Sequence, residues 1–161
     1  MIFVLQLVIR GIKTVLIPIL VGLLSGLLIR NNVDIYRVLI LPPFALPGNY
    51  FSVVWGVLYT VMGISLFFYK QANSGLQTEK NNGITLFFIQ LFLCFLWPIV
   101  FFNLKLWLVA FLLLLLQFAF VASTVTAFYR ASRISGVLLL PYLFFLVYAG
   151  YLNFAIYLLN M

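Results

Sequence analysis

Residues 41–63, LPPFALPGNYFSVVWGVLYTVMG, join a proline-rich segment without charge directly to an apolar segment. Pro42, Pro43 and Pro47 each fix φ, lack a backbone N–H and disfavour helix in the residue before them. The segment is therefore predicted to be a loop of defined shape, suited to covering a cavity. The apolar residues after it, including Trp55, are predicted to form a helix that enters a membrane.

The composition of the 161-residue chain predicts a membrane protein. Hydrophobic residues make up 66% of it and charged residues 7%, whereas about a quarter of a soluble globular domain is charged. A soluble domain cannot bury so much apolar surface, so lipid is the expected solvent. The length is that of one domain, and residues 1–161 are predicted to form a single transmembrane domain.

Five apolar segments reach the length of about 20 residues that a helix needs to cross about 30 Å of hydrocarbon. The predicted fold class is all-α, an integral, multi-pass membrane bundle of five transmembrane helices with a ligand cavity. Residues 30–48 are predicted to be a lid loop, and residues 70–83 form the most hydrophilic linker. The predicted helices are approximately 8–29, 49–69, 83–104, 106–129 and 134–159.

The net charge of +7 arises from nine Lys and Arg residues against Asp34 and Glu79. The basic residues stand singly at the ends of apolar segments, where they anchor helices and set orientation. Nucleic-acid binding is therefore not expected. Six of them share the side of the N-terminus and three the other side, which predicts a cytoplasmic N-terminus: Arg10, Lys13, Lys70, Lys80, Arg130 and Arg133 against Arg30, Arg37 and Lys105.

The residue inventory excludes several kinds of chemistry. Histidine is absent and Cys94 is the only cysteine, so the chain lacks the commonest general base and haem ligand. It also lacks a disulfide framework and a cysteine-based metal site within one chain. No catalytic residue, metal ion or cofactor is predicted.

Gly22 and Gly26 form a small-xxx-small face with Ser25 between them, which lets another helix approach closely. One interpretation is the seam of a homodimer. The other, which we favour, is packing against a neighbouring helix of the same chain, because a polytopic bundle has many internal contacts.

Several aromatic residues recur near the predicted helix ends. One interpretation is a belt of rings at the two membrane interfaces. The other is a flat-walled pocket for a planar apolar ligand, since aromatic faces stack with such molecules. Composition leaves both open for Trp55, Tyr59, Trp97, Tyr142 and Phe145.

Three spaced segments resemble the motifs of one known family. Residues 41–65 resemble a loop and helix in which P-x-x-P-P-G-W precedes V-W-x-x-L-Y-x-x-M-G. Residues 90–102, QLFLCFLWPIVFF, resemble Q-L-x-L-N-x-x-W-x-x-x-F-F, and residues 138–160 resemble L-L-x-P-Y-L-x-W…Y-L-N. These are motifs of the translocator protein (TspO/MBR) family, also called tryptophan-rich sensory proteins or peripheral-type benzodiazepine receptors. The resemblance covers nearly the whole chain in the right order.

The resemblance implies a five-helix bundle whose cavity opens toward the proline-rich loop and binds porphyrins, tetrapyrroles or similar planar apolar ligands. It also implies membrane lipid and a second copy of the chain as partners. Trp55, Trp97, Tyr142 and Phe145 match the family's cavity positions, and Pro47 and Gly48 match its lid. The predicted ligand-binding set is completed by Phe51, Tyr59, Cys94 and Asn153.

The chain departs from the family pattern at three positions. Asn49, Cys94 and Phe145 stand where the family has tryptophan, asparagine and tryptophan, respectively. Losing the indole at Phe145 removes an N–H donor and a readily oxidised ring. Ligand binding, with a transport or sensing role, is therefore favoured over light- and oxygen-dependent porphyrin degradation. A small transporter is the other alternative, disfavoured because the apolar segments lack charges and internal repeats.

Overall fold

The computed structural model describes residues 2–72 and 77–161, with the side chains of residues 2, 3 and 49 outside that description. The centre of the predicted hydrophilic linker and the side chain of Asn49 thus lie outside it. Across those two ranges the chain forms five α-helices, two short helical segments and no strand. The α-helices are α1 (Ile2–Ile29), α2 (Gly48–Gln71), α3 (Gln77–Pro98), α4 (Trp107–Ala131) and α5 (Arg133–Leu159).

Each of the five α-helices is long and apolar enough to cross a membrane. The all-helical fold class predicted from the sequence is therefore confirmed for the described residues. Two short segments complete the architecture. A 3₁₀-helix, Val33–Arg37, lies between α1 and α2, and a π-helix, Ile99–Asn103, continues α3.

Two helices begin earlier than the hydropathy pattern predicts. α1 begins at Ile2 rather than near residue 8, and α3 begins at Gln77 rather than at residue 83. For α3, hydropathy marks the part of the helix that lies in hydrocarbon, whereas the helix continues into the interface. For α1, residues 2–9 are themselves mostly apolar, and Arg10 and Lys13 interrupt the apolar segment but not the helix. At the start of α3, Gln77 Nε2 donates to Asn81 Oδ1 at 3.0 Å, and Glu79 in the first turn suits the helix dipole.

The five helices close a ring in which each packs against two others. The contacts run from α1 to α2, α2 to α5, α5 to α4, α4 to α3 and α3 back to α1. The core inside this ring includes the buried side chains of Met62, Leu66 and Leu114. At the end formed by the C-terminus of α2, the rings of Tyr69 and Phe128 stack with centroids 3.9 Å apart.

Glycine lets α1 and α2 approach each other closely at two points. A Cβ atom on Gly63 would lie 2.5 Å from Cα of Val15, and one on Gly22 would overlap the Tyr59 ring. A Cβ atom on Gly26 would meet nothing within 4 Å. Gly22 therefore packs within the chain, as the favoured interpretation predicts, and a homodimer stays a prediction.

We expect Gly22→Leu to destabilise the bundle, because the new side chain must displace the buried Tyr59 ring. Overpacking of this kind typically costs about 1–3 kcal/mol. Thermal melting of the purified protein in detergent measures the effect. Gly26→Leu is the matched control and should melt close to wild type. Should both variants become monomeric without melting earlier, the two glycines serve an interface between copies instead.

Candidate functional site

A cavity of about 1070 Å³ lies between α1, α2 and α3, next to the 3₁₀-helix. Its volume is slightly above the range of about 300–1,000 Å³ that is typical of small-molecule sites. The C-terminal half of α1, the N-terminal half of α2 and the end of α3 form most of its wall. Seven residues of the predicted set line it: Pro47, Gly48, Phe51, Trp55, Tyr59, Cys94 and Trp97.

Trp55 is the centre of an aromatic cluster on the wall of this cavity. Its ring stacks on Trp97, with centroids 6.2 Å apart and planes at 29°, and lies 5.8 Å from Tyr59. Phe145 meets it edge-on at 5.5 Å and Tyr142 edge-on at 6.2 Å. All five rings are buried or partly buried, so they form one interior cluster and not a lipid-facing belt.

Three residues of the predicted set stand behind the cavity wall and do not line it. Tyr142 and Phe145 pack edge-on against Trp55, and Phe145 also packs edge-on against Phe51. Asn153 contacts the lining residue Trp97, because its Oδ1 accepts a hydrogen bond from Trp97 Nε1 at 2.9 Å. Asn153 Nδ2 in turn donates to the Trp107 carbonyl at 2.7 Å. These three residues therefore orient the lining indoles rather than touch the cavity contents.

A buried polar cluster lies at the base of the cavity. Cys94 Sγ is 3.2 Å from Tyr59 Oη, and Gln117 Nε2 donates a hydrogen bond to Tyr142 Oη. Burying such groups in an apolar interior is costly unless they are paired, and here Gln117 Oε1 is the one atom of the cluster without a partner among the described residues. The four residues link α2, α3, α4 and α5. Gln117 was not among the predicted site residues, although a lone glutamine within an apolar segment is a signal of an interior contact.

The proline-rich loop is fixed to α5 by two tyrosine hydroxyls. Tyr148 Oη donates to the Phe44 carbonyl at 2.8 Å and accepts from the Leu46 N–H at 3.1 Å. Tyr151 Oη donates to the Pro43 carbonyl at 3.1 Å. Prolines deprive the loop of N–H donors for internal hydrogen bonds. Side chains from a distant helix supply the partners instead.

Two asparagines, Asn160 and Asn103, form hydrogen bonds to the loop and to the end of α1, respectively. Asn160 accepts from the Ile40 N–H and donates to the Ile40 carbonyl, both at 3.0 Å. Asn103 Oδ1 accepts from Asn32 at 2.9 Å, and its Nδ2 donates to the Leu28 carbonyl at 3.1 Å. The lid is therefore held on two sides.

Tyr36 joins the 3₁₀-helix to the lid. Its hydroxyl donates to the Leu46 carbonyl at 3.1 Å. Burial raises the pKa of Tyr36, and the nearby Tyr148 adds to that shift. The hydroxyl accordingly stays protonated and remains a donor at neutral pH. No sequence motif indicated this bond or the tyrosine bonds from α5.

The site does not resemble a metal centre. No group of three or more His, Cys, Asp or Glu side chains that could hold a metal ion occurs in residues 2–72 and 77–161. The two charged residues on the cavity wall are Asp34 and Arg37, both in the 3₁₀-helix. The cavity is otherwise lined by uncharged and mostly apolar side chains, which suits an apolar ligand.

We expect Tyr148→Phe to loosen the lid without unfolding the bundle, because it removes one hydroxyl that both donates and accepts. A net hydrogen bond is worth about 0.5–1.5 kcal/mol, so exchange of the Leu46 amide should accelerate about two- to tenfold. Hydrogen–deuterium exchange of a peptide covering residues 40–48 measures this. Tyr157→Phe is the control, since the Tyr157 hydroxyl bonds to no described residue. Equal exchange in both variants would contradict the role given to Tyr148.

Comparisons with known proteins agree with this architecture. A profile of the TspO/MBR family matches residues 14–159. The chain is 36% identical over 126 residues to the tryptophan-rich protein TspO of Chlorobaculum tepidum, covering 78% of each chain. It is 33% identical over 154 residues to the tryptophan-rich protein TspO of Archaeoglobus fulgidus, covering 95% of this chain and 98% of that one. It is 32% identical over 140 residues to the translocator protein of Bos taurus, covering 86% and 83%.

Proposed function

The chain belongs to the TspO/MBR family of integral membrane proteins, and we propose that it binds porphyrins or similar planar apolar ligands in the cavity beside Trp55. The observation that carries this proposal is the position of Trp55 on the cavity wall within a cluster of four other rings. A binder that transports or senses such ligands needs a preformed flat surface, and this cluster supplies one.

The support for a planar ligand comes from how Trp55 is held. Edge contacts from Phe145 and Tyr142 restrict rotation of the indole, and the stack on Trp97 adds a second flat ring. Trp97 is fixed by its hydrogen bond to Asn153. A ligand that stacks on Trp55 thus meets a surface already ordered, which lowers the entropic cost of binding.

We expect Trp55→Ala to weaken porphyrin binding about 5- to 150-fold, because an aromatic stacking contact with a planar base is worth about 1–3 kcal/mol. Trp55→Phe should keep much of the affinity, since it retains an aromatic face, although a smaller one that lacks the indole N–H. Titration of the purified protein with porphyrin, followed by porphyrin absorbance, measures both affinities.

Phe144→Ala is the matched control, because Phe144 is an aromatic residue on the exposed face of α5. It should leave the porphyrin affinity unchanged. Equal affinity of folded wild type and Trp55→Ala would overturn the assignment of the site to this cavity. An unchanged affinity combined with a lower melting temperature would indicate that Trp55 serves packing alone.

The alternative function is light- and oxygen-dependent porphyrin degradation, and the stacked pair of Trp55 and Trp97 favours it. Readily oxidised rings next to a bound porphyrin are what that reaction would need, with oxygen as the oxidant. Absorbance separates the possibilities. A binder shifts the porphyrin spectrum without consuming it, an enzyme bleaches it only in light with oxygen, and a transporter moves it across a vesicle membrane.

We also propose that the N-terminus is cytoplasmic, on the support of the excess of basic residues on its side of the bundle. Because five helices place the two ends of the chain on opposite sides, reporter fusions to the two termini in a bacterial host should differ. A reporter active only in the cytoplasm should work at the N-terminus and fail at the C-terminus. The reverse result would contradict the orientation, and the same result at both ends would contradict five crossings.

A further inference from the structure

The charged residues of the cavity wall are confined to one place. Among the described residues that line the cavity, Asp34 and Arg37 are charged, and they belong to the same 3₁₀-helix, Val33–Arg37. The remaining lining residues are apolar, aromatic, glycine or uncharged polar. The cavity is therefore apolar along its wall and charged at the edge formed by this short helix.

The ion pair between these residues leaves most of the arginine available. Arg37 Nε lies 3.5 Å from Asp34 Oδ1, and the side chains are 85% and 75% exposed. An exposed pair of this kind contributes little to stability. Within residues 2–72 and 77–161 this is the only ion pair of Arg37, so its two terminal amino groups have no ionic partner there. Their forked geometry suits a carboxylate.

Aromatic side chains line the cavity from Trp55 toward the 3₁₀-helix that carries this arginine. Phe51 lies four residues before Trp55 on α2, which is about 6 Å along the helix axis. Its ring is 5.9 Å from that of Tyr36, and Tyr36 directly precedes Arg37. A flat ligand that stacks on Trp55 and extends past Phe51 therefore reaches the charged edge.

We propose that Arg37 is the residue that receives a carboxylate of a planar ligand held in the cavity, and that Asp34 is its internal competitor. This inference rests on the proposed function and names the residues that determine its specificity. It makes two opposite predictions. Removing the arginine charge weakens binding of a carboxylate-bearing ligand, and removing the aspartate charge strengthens it. General damage to the site cannot produce that pair of results.

The experiment compares two probes that share one ring system: protoporphyrin IX, with free carboxylic acids, and its dimethyl ester. Titrations of the full chain in detergent give both affinities for wild type, Arg37→Gln and Asp34→Asn. We expect Arg37→Gln to weaken binding of the acid about 3- to 30-fold and to leave the ester unchanged, because charge-assisted hydrogen bonds are the strong ones. We expect Asp34→Asn to strengthen binding of the acid about two- to fivefold.

Arg30→Gln is the matched control. Arg30 is exposed, lies at the same end of the bundle and is not among the residues that line the cavity, so neither affinity should change. Added salt should weaken binding of the acid and spare the ester, because exposed charges are screened. Arg37 is largely exposed, so its replacement is expected to leave the fold intact.

The outcomes separate this inference from the function on which it rests. Equal affinity of acid and ester in every variant overturns the role of Arg37 and leaves porphyrin binding standing. A loss of both affinities in Arg37→Gln also overturns it, since the residue then supports the mouth of the cavity as a whole. Failure of wild type to bind either probe overturns the proposed function together with the inference.

Discussion

Hydrocarbon offers no hydrogen-bond partners, so every backbone N–H and C=O in the bilayer must be satisfied by the chain itself. That constraint accounts for the five long helices. Between α1 and α2 the chain leaves helical geometry, so its backbone groups there need partners of another kind. The prolines of the loop remove donors, and the remaining groups need partners from elsewhere. Tyr148 and Tyr151 of α5, and Asn160 directly after it, supply them. The lid is thereby held to the helix that also contributes Phe145 to the cluster around Trp55.

The features of the fold and the site that could be predicted from the sequence are those that depend on local contacts. The five spans and the ring positions Trp55, Tyr59 and Trp97 follow from hydropathy and short motifs, and the structure places all three rings on the cavity wall. The bonds from Tyr148 to the loop join residues more than 100 positions apart, and no periodicity in one segment encodes such a pairing. The part of α1 in the cavity wall was missed for a similar reason. The small-residue face of Gly22, Ser25 and Gly26 indicates close packing, but it does not show that the same face lines a cavity.

The helix ends show a different limit of sequence reasoning. Hydropathy locates the hydrocarbon boundary and not the last helical residue, so α3 extends back through polar residues to Gln77. At its other end the helix changes to π-geometry over Ile99–Asn103, directly after Trp97 and Pro98 on the cavity wall. A single-turn π-segment of this kind is frequent at functional sites. Neither boundary follows from apolarity, since both depend on how the ends of the helices are packed and capped.

The two indoles on the cavity wall have separable roles, and this distinction bears on the chemistry that the site can perform. Trp97 is nearly buried, and its N–H is already committed to Asn153, so it can offer a ligand little beyond its ring. Trp55 is more exposed, and its N–H makes no hydrogen bond to any described residue. Phe145 packs edge-on against Trp55, and its phenyl ring carries neither an N–H donor nor a readily oxidised indole. Under the proposed function, a wall with few oxidisable groups within an extended aromatic cluster favours holding a planar ligand over consuming it.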